Sequence, residues 1–142
     1  MNKSLLEQYI ESNHFGRFVG MDFEIIQPGE VLYRLKVAKN HLATPFAAHG
    51  GCLSALMDAT MGVGALSLVE KEFLVVSTVE MKVSFLEAVL NQDELTARSI
   101  IVRKGKKIIF AEAEIRNQSN NLVAKGSGTF FVVDGLKAGY SK

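Results

Sequence analysis

Cysteine is nearly absent. Cys52 is the single one in 142 residues, so an internal disulfide is excluded and a reducing compartment is the better fit. Proline is almost as scarce: only Pro28 and Pro45 occur. No repeat, low-complexity segment or linker divides the chain, so Met1 to Lys142 is expected to form one domain with a sizeable core. An excess of charge of one sign is also missing. The formal net charge is +1 with 22% charged residues, and no basic run is long enough to argue for a nucleic-acid partner. Met1 to Ile10 has neither the basic start nor the apolar core of a secretory signal, which makes the cytoplasm the expected location. His14, His41 and His49 lack zinc-type spacing, and neither a metal nor a cofactor is expected.

What the chain does have is one long apolar stretch, Ala48 to Val69 (AHGGCLSALMDATMGVGALSLV). Leu53, Leu56, Met57, Thr60, Met61, Gly64 and Leu68 recur at helical spacing. The other side, with Cys52, Ala55, Ala59, Val63 and Ala65, is small but hardly polar, as in a buried helix. Its length would suit a membrane span. Asp58 near its middle, costing roughly 2.5–3.5 kcal/mol there, argues against one, and four glycines dilute the hydrophobicity further. The stretch therefore reads as the central helix of a domain without a membrane partner. A lone carboxylate in such a helix is either satisfied by neighbours or kept for chemistry.

Around it lie strand patterns. Ser4 can cap a short amphipathic helix carrying Leu5, Leu6, Tyr9 and Ile10. Met21 to Ile26 reads as a strand, Gln27-Pro28-Gly29-Glu30 as a turn, and Val31 to Val37 as a half-buried strand with Arg34 and Lys36 outward. Lys39 to Ala48 is an irregular loop. Thr78 to Phe85 alternates, with Val79, Met81, Val83 and Phe85 on one face. Glu94 to Arg103 and Lys107 to Arg116 form a hairpin around Lys104-Gly105-Lys106, Leu122 to Val133 is the last strand, and the tail after Asp134 is expected to fray. Strands segregated around one helix predict an α+β domain with a curved, largely antiparallel sheet, whose open edges invite a second copy.

His49-Gly50-Gly51 followed by Asp58, the segment Thr78-Val79-Glu80-Met81-Lys82-Val83-Ser84-Phe85 and the close Val123-Ala124-Lys125-Gly126-Ser127-Gly128-Thr129-Phe130 resemble the hotdog-fold acyl-CoA thioesterases. The likeness is to the PaaI-like branch of the 4-hydroxybenzoyl-CoA thioesterase superfamily, and it runs from about Gly16 to Val133. It implies a curved antiparallel sheet wrapped around a long central helix, a homodimer often paired into a homotetramer, and metal-free hydrolysis of acyl-CoA to free acid and CoA. In that pattern Asp58 is the general base or nucleophile. The Gly50 N–H polarises the thioester carbonyl, and Thr78 is a hydroxyl that helps orient water. His49 and Gly51 flank the substrate, and Phe46, Met57 and Met61 are candidates for its pocket. Arg103, Lys104 and Lys106, at the hairpin tip with Lys107, would clasp the CoA phosphates; a solvated turn is the plainer reading. One departure stands out. Many members carry asparagine six residues before the histidine and glycine three before it, where this chain has Ala43 and Phe46. Asn40, His41 and Thr44 are the nearby polar substitutes.

The chemistry also follows from the residues. Attack on a thioester needs a donor aimed at the developing oxyanion and a base beside the attacker. Gly50 and Gly51 at a helix start offer N–H groups, and burial would raise the pKa of Asp58 into a better range for a base. Taken singly, Asp58 could be a structural carboxylate held by Ser54 or Thr60, Gly50-Gly51 a packed turn, and Cys52 a core thiol rather than the partner of His49. A binding module that holds acyl-CoA without turnover is the competing class, and a hotdog hydratase or dehydratase lacks its motifs here. Eight residues separate Gly50 from Asp58, roughly 12 Å of helix, too far for one thioester to meet both. A site shared by two chains removes that conflict.

Overall fold

The computed structural model describes residues 2–142 and is built from six strands and one dominant helix. Helix α1 spans Leu5–Ser12. It starts with a reciprocal capping box, in which the Glu7 N–H donates to Ser4 Oγ and the Ser4 N–H donates to the Glu7 carboxylate. A second short helix, α2 (His14–Val19), follows at once, capped by the Asn13 side chain and closed by Gly20 at φ +89°. The sequence pattern did not announce it, because six residues are too few for a period to show.

Strands β1 (Asp22–Gln27), β2 (Glu30–Lys36), β3 (Leu74–Phe85), β4 (Glu94–Lys104), β5 (Ile108–Arg116) and β6 (Leu122–Asp134) form one antiparallel sheet in the order β1-β2-β4-β5-β6-β3. Between β2 and β3 runs α3, Gly50–Leu66, shorter at both ends than the apolar stretch suggests. The sheet curls around it, as the hotdog likeness implies. Val31, Tyr33 and Leu35 of β2, and Ile109, Ala111, Ala113 and Ile115 of β5, all point at the helix and are buried, as their alternation predicts. Leu53, Leu56, Met57, Thr60, Met61 and Gly64 are the helix residues that meet them. Close contact is possible because β6 carries glycines under the two methionines. A Cβ at Gly126 would stand 2.8 Å from Met57 Cγ, and one at Gly128 would stand 3.1 Å from Met61 Cε.

The far end of α3 is tied down by two buried hydroxyls. Ser67 Oγ accepts from the Gly29 N–H at 2.8 Å and donates to the Gly64 carbonyl at 2.7 Å. Ser99 Oγ accepts from the Val31 N–H and donates to the Gly29 carbonyl, both at 2.9 Å. The β1–β2 turn is thereby fixed to the helix and to β4, with its polar groups paired.

Two expectations change. Strand β3 begins at Leu74, not Thr78, because Leu74-Val75-Val76 is an apolar run that does not alternate. Its register shifts between Thr78 and Glu80, so Val79 is an extra residue and is 60% exposed; Phe85, also expected inside, is 54% exposed. These apolar side chains stand on an edge strand, bonded to β6 on one side only. The tail after Asp134 is not frayed. The Gly135 N–H donates to the Phe73 carbonyl, the Tyr140 N–H to the Gly135 carbonyl, and Gln8 pairs with the Ser141 backbone through both ends of its amide. Among the described residues, no helix is long and apolar enough to cross a membrane.

Candidate active site

Asp58 sits in the third turn of α3, and Thr78 sits at the bulge of β3. The bulge and the helix phase bring them together: Thr78 Oγ1 donates to Asp58 Oδ1 at 2.7 Å. Neither Ser54 nor Thr60 holds the carboxylate; the Thr60 hydroxyl donates instead to the Leu56 carbonyl at 2.6 Å. Asp58 Oδ2 has no donor among the described residues. Its environment corrects one expectation. Asp58 is half-buried, not sequestered, because its face of α3 lies against the β3 edge of the sheet, where the cleft opens.

Asp58 and Thr78 stand at one end of a cleft of about 290 Å³. Its walls are Ala59, Gly62 and Leu66 along the helix, with Tyr9, Phe130 and Tyr140 supplying aromatic rings. Burial raises the pKa of Tyr9, and negative charge at Asp58 acts in the same direction, so its phenol stays protonated at neutral pH. Tyr33 lies nearby, 1% exposed. Its hydroxyl neighbours that of Tyr9 outside hydrogen-bonding geometry and has no partner, and burial raises its pKa strongly. Gly62 could have been found from the sequence, being one helical turn beyond Asp58 on the same face. Tyr140 could not, because nothing in a short polar tail signals where it docks.

Gly50 lies elsewhere. It is the first residue of α3, and its N–H has no acceptor among the described residues. It lines a separate cleft of about 310 Å³ with Leu53, Phe85 and the loop after β3, and a Cβ on it would touch the Phe85 ring at 3.4 Å. The two clefts have no lining residue in common. Gly51 differs from Gly50 in its bonding. Its N–H donates to Nδ1 of His49, the N-cap residue, at 2.7 Å. His49 and Gly51 are therefore engaged with one another, and of the two glycines only Gly50 has a free N–H.

The remaining candidates scatter. Met57 and Met61 are fully buried against β6 and line neither cleft, which removes them as pocket residues of one chain. Phe46 is 73% exposed in the loop before α3 and also lies outside both clefts. Of the substitutes for the missing asparagine, His41 accepts from the Ala38 N–H through Nδ1 and donates to the Val19 carbonyl through Nε2. Thr44 Oγ1 accepts from the Phe46 and Ala47 N–H groups. Both are occupied in shaping the loop. Arg103, Lys104 and Lys106 are exposed and make no ion pair among the described residues. Their tip is level with Thr78, since Ile109 pairs with Phe130 and Phe130 with Thr78. Lys104, which pairs with Ile109, is three strand spacings, roughly 14 Å, from Thr78 across β5 and β6. Burial raises the pKa of Cys52 and keeps its thiol protonated, which counts against a Cys-His nucleophile.

A curved antiparallel sheet around one helix, with a helix carboxylate and a strand hydroxyl meeting at the sheet's β3 edge, defines a hotdog-fold protein. The Thioesterase superfamily model matches residues 47–124, the segment that carries Gly50, Asp58 and Thr78, and the chain belongs to that superfamily. An inferred esterase of Schizosaccharomyces pombe is 31% identical over 142 residues, covering 94% of this chain and 84% of its own length. Among solved structures, the Escherichia coli PaaI protein from the phenylacetic acid degradation operon superposes with a TM-score of 0.84 at 23% identity, covering 92% of this chain and 91% of that one. A hypothetical thioesterase from Streptococcus pneumoniae, solved with coenzyme A, gives a TM-score of 0.79 at 27% identity, covering 89% and 96%.

Proposed function

We propose that this protein hydrolyses acyl-CoA thioesters at sites shared between two copies of the chain. The observation that carries this reading is the Asp58–Thr78 pair, bonded through one carboxylate oxygen with the other free at the mouth of a cleft. Thr78 holds the carboxylate in one orientation, and Oδ2 takes a proton from a water as its oxygen attacks the thioester carbonyl. The tetrahedral oxyanion is met by the N–H of Gly50 of the partner subunit, backed by the positive end of α3. The C–S bond then breaks, the proton passes from Asp58 to the departing sulfur, and free acid and CoA leave.

Two features support pairing of chains. The free Gly50 N–H and the free Asp58 oxygen lie in different clefts of one chain, about 12 Å of helix apart. The β3 edge carries Val79 and Phe85 uncovered, beside an unpaired row of backbone groups. A homodimer formed along this edge, doubled into a homotetramer, is the assembly we infer. Coenzyme A in the Streptococcus pneumoniae neighbour supports a CoA ester as substrate, and Arg103, Lys104 and Lys106 suit its phosphates. The single, half-buried Cys52 suits a cytoplasmic protein.

Thiol release from a panel of acyl-CoAs tests the reading. Activity that disappears in Asp58→Asn and in Gly50→Pro, and partly returns when the two variants exchange subunits, is the expected result. Verified exchange between folded variants without any return would exclude the shared site. CoA-ester binding with no thiol release from the wild type would make the protein a binding module.

A further inference from the structure

The end of the Asp58 cleft farthest from Thr78 is built by two segments distant in sequence. Leu66 and Val75 mark that end, and Tyr9 from α1 and Tyr140 from the segment after β6 pack there. The segment is held in place by several independent contacts. Asp134 Oδ1 accepts from the Leu136 N–H at 2.8 Å, the Gly135 N–H donates to the Phe73 carbonyl, and the Gln8 amide grips the Ser141 backbone at 2.6 and 3.0 Å. This wall is thin. Ala138 and Tyr140 line the Asp58 cleft and also an outer groove shared with Gln8, Glu11 and Ser12. The cleft itself lies at the small end of the range for ligand sites, and its floor from Asp58 to Leu66 is roughly 12 Å long. It can take an acyl group, but not the CoA as well.

Building on the thioesterase reading, we propose that Tyr140, pinned by the Gln8–Ser141 pair and backed by Tyr9, is the end wall of the acyl pocket and restricts the protein to short or ring-sized acyl groups. Removing the ring joins the cleft to the outer groove, so a longer chain could pass through. The opposite wall offers the reverse change. A Cβ at Gly62 would meet Phe130 Cε1 at 3.6 Å, an ordinary contact, so Gly62→Ala narrows the cleft without a clash.

The test uses S-alkyl-CoA thioethers from butyl to hexadecyl, which cannot be hydrolysed, with binding measured by calorimetry. For the wild type, affinity should climb with chain length to a break and then fall about tenfold. Tyr140→Ala and Gln8→Ala should raise the hexadecyl-to-butyl affinity ratio about tenfold, and Gly62→Ala should move the break to shorter chains. A wild type without a break, or no thioether binding at any length, would overturn the end wall. So would an unmoved break in folded variants, and Gly62→Ala decides the point if Tyr140→Ala fails to fold. Thiol release from butanoyl-CoA is scored separately. A break without turnover keeps the wall and removes the hydrolase, and turnover with an unmoved break does the opposite.

Discussion

The two ends of α3 are built to opposite rules. At its C-terminal end buried backbone groups are matched by hydroxyls: Ser67 and Ser99 satisfy Gly29, Val31 and Gly64 within the core. At its N-terminal end, and at mid-helix beside the β3 edge, groups are left without partners among the described residues: the Gly50 N–H and Asp58 Oδ2. Matched polar groups hold the fold, whereas the unmatched ones are available to a substrate. The difference implies that damage at one end should cost stability and damage at the other should cost only chemistry.

The largest effect that would sharpen this contrast is at Asp58. Asp58→Asn keeps the Thr78 contact possible and removes the proposed base, so kcat should fall about 10³-fold with Tm within a few degrees of wild type, read by thiol release and thermal melting. At the other end, Ser99→Ala should cost about 2–3 kcal/mol in denaturant unfolding, because the Val31 N–H and the Gly29 carbonyl lose their buried partner. Its effect on kcat should be small. A Ser99→Ala protein that lost activity while keeping its stability would break the comparison. A smaller change is expected from Lys104→Glu with Lys106→Glu. KM should rise severalfold for acyl-CoA and stay nearly constant for acyl-pantetheine, which lacks the nucleotide phosphates.

The smallest effect concerns Tyr33, a large buried side chain whose hydroxyl is unmatched. Tyr33→Phe should leave the protein as stable or about 1 kcal/mol more stable at pH 7. It should also change alkaline behaviour. The folded pKa of Tyr33 lies above its ordinary value of 10.0, so the folded state keeps a proton that the unfolded chain releases. Stability is then complete below pH 10 and falls as pH rises above it. Without that phenol, the decline above pH 10, followed by chemical denaturation, should be shallower.

Legibility in the sequence followed the range of the interactions. Strands β2 and β5 could be read because burial on one face writes a period of two into the chain, and Asp58 because a lone carboxylate in an apolar helix is conspicuous. Met57 and Met61 were readable in part. They share the Leu53 face, which turns to the sheet, while Asp58, Gly62 and Leu66 share the next face round. Gly50 and Gly51 could not be told apart, since their difference is a hydrogen bond to the His49 ring. The bulge at Val79, the docking of Tyr140 and the separation of the two clefts depend on partners far along the chain, and local patterns do not record such partners.

The sheet order has a consequence for how the molecule comes into being. Strand β3 bonds only to β6, although it precedes β4 and β5 in the chain. On the ribosome, α3 and β3 emerge well before the strand that must cover them. Thr78 therefore cannot settle against Asp58 until nearly the whole sheet is synthesised, and closure of this long-range pairing should set the pace of folding. Until then β3, apolar from Leu74 to Val76 and on alternate residues beyond, lacks its strand partner, and it is the segment where a chaperone would bind or two nascent chains would meet.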